Sequence, residues 1–421
     1  MRILYSALWW LALPLVLARL WWRGRKEPGY RQHWAERLGC YGVRGPGRHA
    51  IWVHAVSVGE TRAAEPLIDA LLQAWPDSRI ILTHMTPTGR ATGKALFGKH
   101  GERVLQAYLP YDTGFMVARF IRHFAPRICI LVETEVWPNL IERCVALKVP
   151  VALVNARLSE RSLRRGRRFG TLMTDAARGI TLVAAQTGAD AERVRSLGAP
   201  RVVVTGSIKF DVVVPQAALA TGAWLRTQIG ARPVLLCAST RDGEEALIVD
   251  AFGRMPARPA GMLLAIVPRH PQRFDEVAQL VQARGLNLER RSRMATLDPA
   301  VDVLLGDSMG EMFAYYAACD CAFIGGSLLP LGGQNLIEAC ALGKPVLIGP
   351  HTFNFALATE EAIGAGAALC VQDAGQLMQE AARLLTDNAA RHAMGSHAAS
   401  FANRHRGATA RTLELLRPLI D

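Results

Sequence analysis

A chain of 421 residues, half of them hydrophobic, is too long for one ordinary core and rich enough to fill two. Its eight cysteines include no C-x-x-C pair and its eleven histidines lack metal-ligand spacing, which excludes a disulfide framework and a structural metal. The net charge of +13 is uneven: residues 1–210 hold 31 Lys and Arg against 15 Asp and Glu, and residues 211–421 hold 18 against 21. The first half therefore carries all of the excess, which fits a polyanionic partner: nucleic acid, an anionic membrane or a phosphorylated substrate.

The chain begins with "ILYSALWWLALPLVLARLWW" (3–22), about the length that spans a bilayer as a helix. No small-residue cleavage site follows, so the segment reads as an uncleaved anchor over residues 1–25. Arg23, Arg25 and Lys26 flank its carboxyl side and Arg2 its amino side, which places the body of the protein in the cytoplasm. Arg19 and Pro14 interrupt the apolar run, and a helix lying in the membrane interface is the alternative.

From Ala50 onward, apolar runs alternate with helical patterns. The runs are "IWVHAV", "RIILTHM", "VLQAYLP", "RICILVE", "PVALVNA", "ITLVAAQ" and "RVVVTG". After "GSIKFDVVVPQ" (206–216) the pattern restarts with "PVLLCAS", "GMLLAIVP", "VDVLLG", "CAFIGG", "KPVLIGP" and "GAALCV". Near-continuous apolar strands separated by amphipathic helices mark parallel sheets covered on both faces. The fold class is therefore α/β, with two doubly wound Rossmann-like domains facing a cleft. The expected spans are 26–207, a linker at 208–220, and 221–421 including the carboxyl-terminal helices.

Open sheets of this kind bind ligands at the carboxyl ends of their strands. In "WVHAVSVGE" (52–60) a strand runs into Ser-Val-Gly, and Glu60 stands where a helix begins. A first-turn glutamate complements the helix dipole; a cleft-facing one can also take a proton. In "VETEVWPN" (132–139) either Glu133 or Glu135 could face the cleft. "RRGRRF" (164–169), reinforced by Arg157 and Arg161, is the densest basic cluster and reads either as a solvated helix face or as an anion-facing surface. Later come "VPRHP" (267–271) with Arg269, Met309-Gly310-Glu311 opening a helix, and Gly332-Gly333-Gln334-Asn335 opening another that bears Glu338. Two glycine-rich approaches to helix amino termini can offer backbone N–H groups to a phosphate. Neither a Walker P-loop nor G-x-G-x-x-G is present.

Six segments, "WVHAVSVGE", "ETEVWPNLI", "GSIKFD", "PRHP", "GDSMGEM" and "GGQNLIEACALGKPVLIGPHTFNF", together resemble the Kdo (3-deoxy-D-manno-octulosonic acid) transferases of lipopolysaccharide synthesis. The likeness covers essentially the whole chain, in the family's order. It implies a GT-B glycosyltransferase at the inner membrane, with an acceptor half first and a donor half second. The donor would be CMP-Kdo and the acceptor a lipid A precursor (lipid IVA), in an inverting, metal-independent reaction with no cofactor and no nucleic acid. The resemblance maps the general base to Glu60 and transition-state stabilisation to Glu133 and Lys209. It maps the CMP contacts to Pro268, Arg269, Met309, Gly310, Glu311, Asn335, Leu336, Ile337 and Glu338. The residues agree with such chemistry: a sugar hydroxyl needs a carboxylate base, and a departing CMP needs positive or dipolar stabilisation.

Overall fold

The computed structural model describes residues 1–42, 50–256 and 258–421. They form two compact units: Met1–Asp211 together with Arg406–Asp421, and Val212–His405.

The first unit is built on seven parallel strands: β1 (Ala50–His54), β2 (Arg79–His84), β3 (Val104–Tyr108), β4 (Ile128–Val132), β5 (Val151–Ala156), β6 (Leu182–Ala185) and β7 (Val202–Val204). Their order is β3-β2-β1-β4-β5-β6-β7. Alternate side chains feed opposite faces, as a strand's two-residue period requires. Trp52, Cys129 and Leu131 join one core with Phe120 and Leu140. Ile51, Val53, Ile128 and Ile130 join another with Leu67 and Leu71. Both faces are covered, which is why these strands read as unbroken apolar runs. The winding reverses between the sheet neighbours β1 and β4, the kind of point at which open α/β sheets bind ligands.

The second unit repeats the plan with β8 (Val234–Thr240), β9 (Leu263–Pro268), β10 (Leu288–Arg290), β11 (Val303–Leu305), β12 (Cys321–Ile324), β13 (Val346–Ile348) and β14 (Ala368–Cys370). The order is β10-β11-β9-β8-β12-β13-β14, all parallel, with the reversal between β8 and β12. Six of these strands match the apolar runs of the sequence. The edge strand β10 does not, because its three half-exposed residues include Glu289 and Arg290.

The final helix, Ala408–Ile420, was expected in the second domain but packs on the first unit. Leu416 and Ile420 sit in the core layer of Ile51 and Val53, and Arg411 donates to the Thr205 carbonyl at 2.7 and 2.9 Å. Asp211 accepts from the Gly407 and Thr409 N–H groups. The expected linker also loses its first part: Ile208 and Phe210, in the turn Ile208–Phe210, are buried within the first unit.

The amino-terminal helix, Arg2–Arg23, is long and apolar enough to cross a membrane. It does not stand away from the first unit. Near its start Tyr5 donates to Asp112 at 2.9 Å and Ser6 to Asn139 at 3.1 Å. Near its end Leu20 packs with Tyr30, Tyr111 and Met116. Contacts at both ends hold the helix lengthwise against the domain. Ile3, Leu8, Leu11, Leu15 and Trp22 on its other side stay exposed. All eight cysteines are free thiols.

Candidate active site

At the carboxyl edge of the first sheet, β1 ends in His54 and the chain turns through Ala55-Val56-Ser57 into the helix Val58–Ala63. Ser57 caps that helix and its hydroxyl donates to Glu60 Oε1 at 3.2 Å. The Val56 N–H donates to Glu60 Oε2 at 2.6 Å. This is a reciprocal N-terminal box, in which a carboxylate at the third helical position reaches back to the start. Glu60 therefore caps its own helix while remaining only half-buried. Those two hydrogen bonds fix the rotamer and favour the charged form.

The surroundings oppose them more strongly. Burial, then the nearby Glu135, then Glu133 raise the Glu60 carboxyl to about 7 against the backbone and Ser57 hydrogen bonds. A helix terminus alone would hold it low; here desolvation and like charge win.

β4 contributes the other carboxylates. Glu133 leaves the strand at φ 64°, a left-handed conformation that a side chain rarely adopts. Its carboxylate meets Lys209 Nζ at 2.8 Å. Glu135, two residues on, instead accepts from Trp137 Nε1 at 2.8 Å and lies 4.0 Å from His54 Nε2. Burial raises the Glu135 carboxyl as well. The two glutamates thus have separate partners, and Lys209 belongs to Glu133. Asn155, at the end of β5, is also left-handed at φ 52°, and its side-chain oxygen accepts from the Ile208 N–H at 3.2 Å. That bond docks the turn that presents Lys209. Strained residues at two adjacent strand ends mark a place where geometry is fixed at a cost in backbone energy.

The sequence reading passed over His54. It is wholly buried, its Nδ1 lies 2.9 Å from Thr83 Oγ1, and burial pushes it down to about 3, so it is a neutral imidazole. A histidine inside the apolar run "IWVHAV" was the available signal.

In the second unit the sequence-selected residues lie at strand ends. Pro268 closes β9, and the Arg269 N–H donates to the Thr240 carbonyl at 2.9 Å. Gly310 is left-handed at φ 84° beside the exposed Met309. Glu311 accepts from Arg291 at 3.0 Å and from Ser308. Leu336 and Ile337 are buried. Asn335 spans the next turn: its oxygen accepts from the Ile337 N–H at 3.0 Å and its amide donates to Glu338 at 3.1 Å. The two expected phosphate-binding helix starts are weaker than the sequence suggested. The helices Met312–Ala318 and Ile337–Ala341 are short, and the Gly333 and Gln334 N–H groups are spent on Gly326 and Gly325 carbonyls.

Glu244 is a second residue the sequence did not signal. It is fully buried and accepts from the N–H groups of Arg241 (2.9 Å), Gly326 (2.5 Å) and Leu328 (2.9 Å). One carboxylate therefore welds the loop after β8 to the turn after β12, the two sides of the reversal point. Gly325 permits the contact: a Cβ there would stand 2.5 Å from the Ser239 carbonyl oxygen.

A family model described as 3-deoxy-D-manno-octulosonic-acid transferase (kdotransferase) matches residues 32–212. The 3-deoxy-D-manno-octulosonic acid transferase of Bordetella pertussis is 48% identical over 413 residues, 96% of each chain. The chain belongs to the Kdo transferase family. The Haemophilus influenzae Kdo transferase is 37% identical over 100% of this chain and 99% of its own. Among solved structures, UDP-GlcNAc 2-epimerase from Neisseria meningitidis, bound to UDP-GlcNAc, aligns with TM-score 0.59 at 15% identity, covering 88% of this chain and 100% of that one. That likeness shows the GT-B fold alone. As a Kdo transferase the protein is a glycosyltransferase, and its two carboxyl edges differ in chemistry: carboxylates around one lysine in the first unit, arginines and glycine-rich turns in the second.

Proposed function

We propose that the enzyme moves Kdo from CMP-Kdo to a hydroxyl of a lipid A precursor, lipid IVA, with inversion and without a metal. Glu60 is the general base in this reading. The observation that carries it is a carboxylate raised to about 7, fixed in one rotamer at the reversal point of the first sheet. A base titrating near the working pH combines availability with proton affinity. Glu133 and Lys209 form one unit, in which the carboxylate orients an ammonium towards charge that develops during transfer. Pro268, Arg269, the Met309–Glu311 turn and the Asn335–Glu338 turn hold the cytidine nucleotide, and arginine and backbone dipoles stabilise the departing phosphate.

The site of action in this reading is the cytoplasmic face of the inner membrane. Supporting it, one side of the amino-terminal helix is docked on the first unit and the other side is apolar and exposed. Such a helix suits the interface plane. The helix Glu160–Arg168 adds five exposed arginines with one buried residue, Leu163, an attraction for anionic lipid. The test is to incubate the full chain with CMP-Kdo and lipid IVA and weigh the lipid product. A lipid heavier by whole Kdo units is expected with the native chain and absent with Glu60→Gln, while CMP still binds. Transfer from a UDP-sugar instead, with no product from CMP-Kdo, overturns the donor assignment.

A further inference from the structure

Among the described residues, the guanidinium of Arg241, at the carboxyl edge of the second sheet, has no acidic partner. Arg241 follows directly on β8, the central strand. Its backbone is held twice over. Ser239, two residues before it, is left-handed at φ 55°, and its own N–H donates to the buried Glu244 at 2.9 Å. Its stem passes the glycine turn after β12, where a Cβ on Gly326 would stand 3.4 Å from Arg241 Cγ. Gly326 is held to the same Glu244 carboxylate. The residue therefore leaves a rigid frame made from both sides of the reversal point, where ligands of open α/β sheets lie.

Its neighbours sharpen the contrast. Arg273 is committed to carboxylates, at 2.7 Å from Asp242, 3.2 Å from Glu245 and 3.1 Å from Glu276. The Arg241 guanidinium makes no ion pair and no side-chain hydrogen bond among the described residues. It is half-buried rather than splayed into solvent. After burial, Arg241, Arg269 and Arg273 together hold the nearby His270 imidazole below its ordinary range, so the field at this edge is positive. A partly desolvated guanidinium with unused donors in a positive field is a receptor for an oxyanion, because its planar fork matches carboxylate and phosphate alike.

We propose that Arg241 binds an oxyanion of the sugar-nucleotide donor, either its phosphate or the carboxylate of its sugar. The inference rests on the reading of the second unit as the donor half. Glu244 is the positioning residue that aims Arg241 by fixing its backbone and the Gly326 turn. The experiment uses the full chain, as wild type, Arg241→Gln and Arg241→Lys, with CMP and cytidine as inhibitors and CMP-Kdo as the varied substrate. If the phosphate is the ligand, Arg241→Gln weakens CMP by about tenfold to a hundredfold, the worth of a hydrogen bond to a charged group, and leaves cytidine unchanged. If the carboxylate is the ligand, CMP inhibits as before and the KM for CMP-Kdo rises by the same factor. In either case Arg241→Lys recovers part of the loss. Unchanged CMP inhibition with unchanged CMP-Kdo kinetics overturns the inference. So does a parallel loss of cytidine and CMP affinity, which would mean that the loop has merely collapsed. Failure of the wild type to bind CMP is a different result, which removes the donor reading itself.

Discussion

Glu60→Gln should inactivate the enzyme and stabilise it above neutral pH. The Glu60 carboxyl is raised from 4.5 to about 7, and each unit corresponds to about 1.4 kcal/mol, so the ionised form is disfavoured in the fold by about 3 kcal/mol. For an acid raised in the native state, the folded protein binds more protons than the unfolded chain between those two values. Its contribution to stability therefore falls as pH climbs from 4.5 to about 7, and the full penalty is present above 7. Glutamine removes the charge, keeps the volume and retains an oxygen to accept from the Val56 N–H. At pH 8 the variant should melt about 5 °C higher than wild type, taking a unit of this size and some solvent relaxation into account. At pH 4, where both side chains are uncharged in the fold and an unfolded glutamate is mostly protonated too, the difference should nearly vanish. Turnover should fall by about a hundredfold to ten-thousandfold, the usual contribution of a positioned base. The assays are thermal denaturation at the two pH values and initial rates of Kdo transfer. A variant that turns over normally, or one no more stable than wild type at pH 8, refutes the argument that burial holds this carboxylate as a base.

Glu135→Gln removes the largest charge contribution to the Glu60 shift, so the acidic limb of the kcat/KM profile should move to lower pH, with the fold intact by circular dichroism. Lys209→Met leaves Glu133 without the cation at 2.8 Å; turnover should fall by about tenfold or more while CMP inhibition stays as in wild type, since breaking a partly desolvated charge contact costs about 1–3 kcal/mol. Gly325→Ala places a methyl within 2.6 Å of the Ser239 carbonyl oxygen and Thr240 Cα, both backbone; urea denaturation should show a loss of about 2 kcal/mol or more, and CMP affinity should drop with it. Leu11→Glu with Leu15→Glu changes two exposed positions of the amino-terminal helix; sedimentation with anionic vesicles should fall at unchanged melting temperature.

Both sheets were legible in the sequence because their strands are buried on two faces and read as continuous apolar runs. The edge strand β10 was not, being half-exposed and charged. The last helix was misplaced for a related reason: its apolar stripe is genuine, but a stripe does not say which core it fills, and only Asp211, Arg411 and Leu416 together direct it to the first unit. Glu60, Glu133 and Lys209 were named from the family resemblance, while the motif itself could not separate Glu133 from Glu135. That distinction rests on a left-handed backbone at one and an indole donor at the other. Glu244 and Arg241 left no legible trace, since a glutamate at a helix start and an arginine in a loop are ordinary until three N–H groups converge on one and no carboxylate meets the other.

The charge balance carries a further lesson. The first 210 residues are strongly basic and the remainder slightly acidic, whereas the reversal points have the opposite character: three neighbouring glutamates, one of them paired with Lys209, in the first unit, and three arginines around His270 in the second. Net charge acts over distances of about a Debye length and is screened beyond it. Chemistry at a strand end is decided within a few ångströms, where desolvation multiplies each interaction. The surplus arginines can therefore draw the first unit to an anionic surface from its exposed helix Glu160–Arg168 without neutralising the buried acids. Burial first, and like charge among those acids second, hold the Glu60 carboxyl above its ordinary range. If the surplus charge instead controlled the site, raising the ionic strength would shift the acidic limb of the pH profile. The local account expects salt to weaken vesicle binding and leave that limb in place.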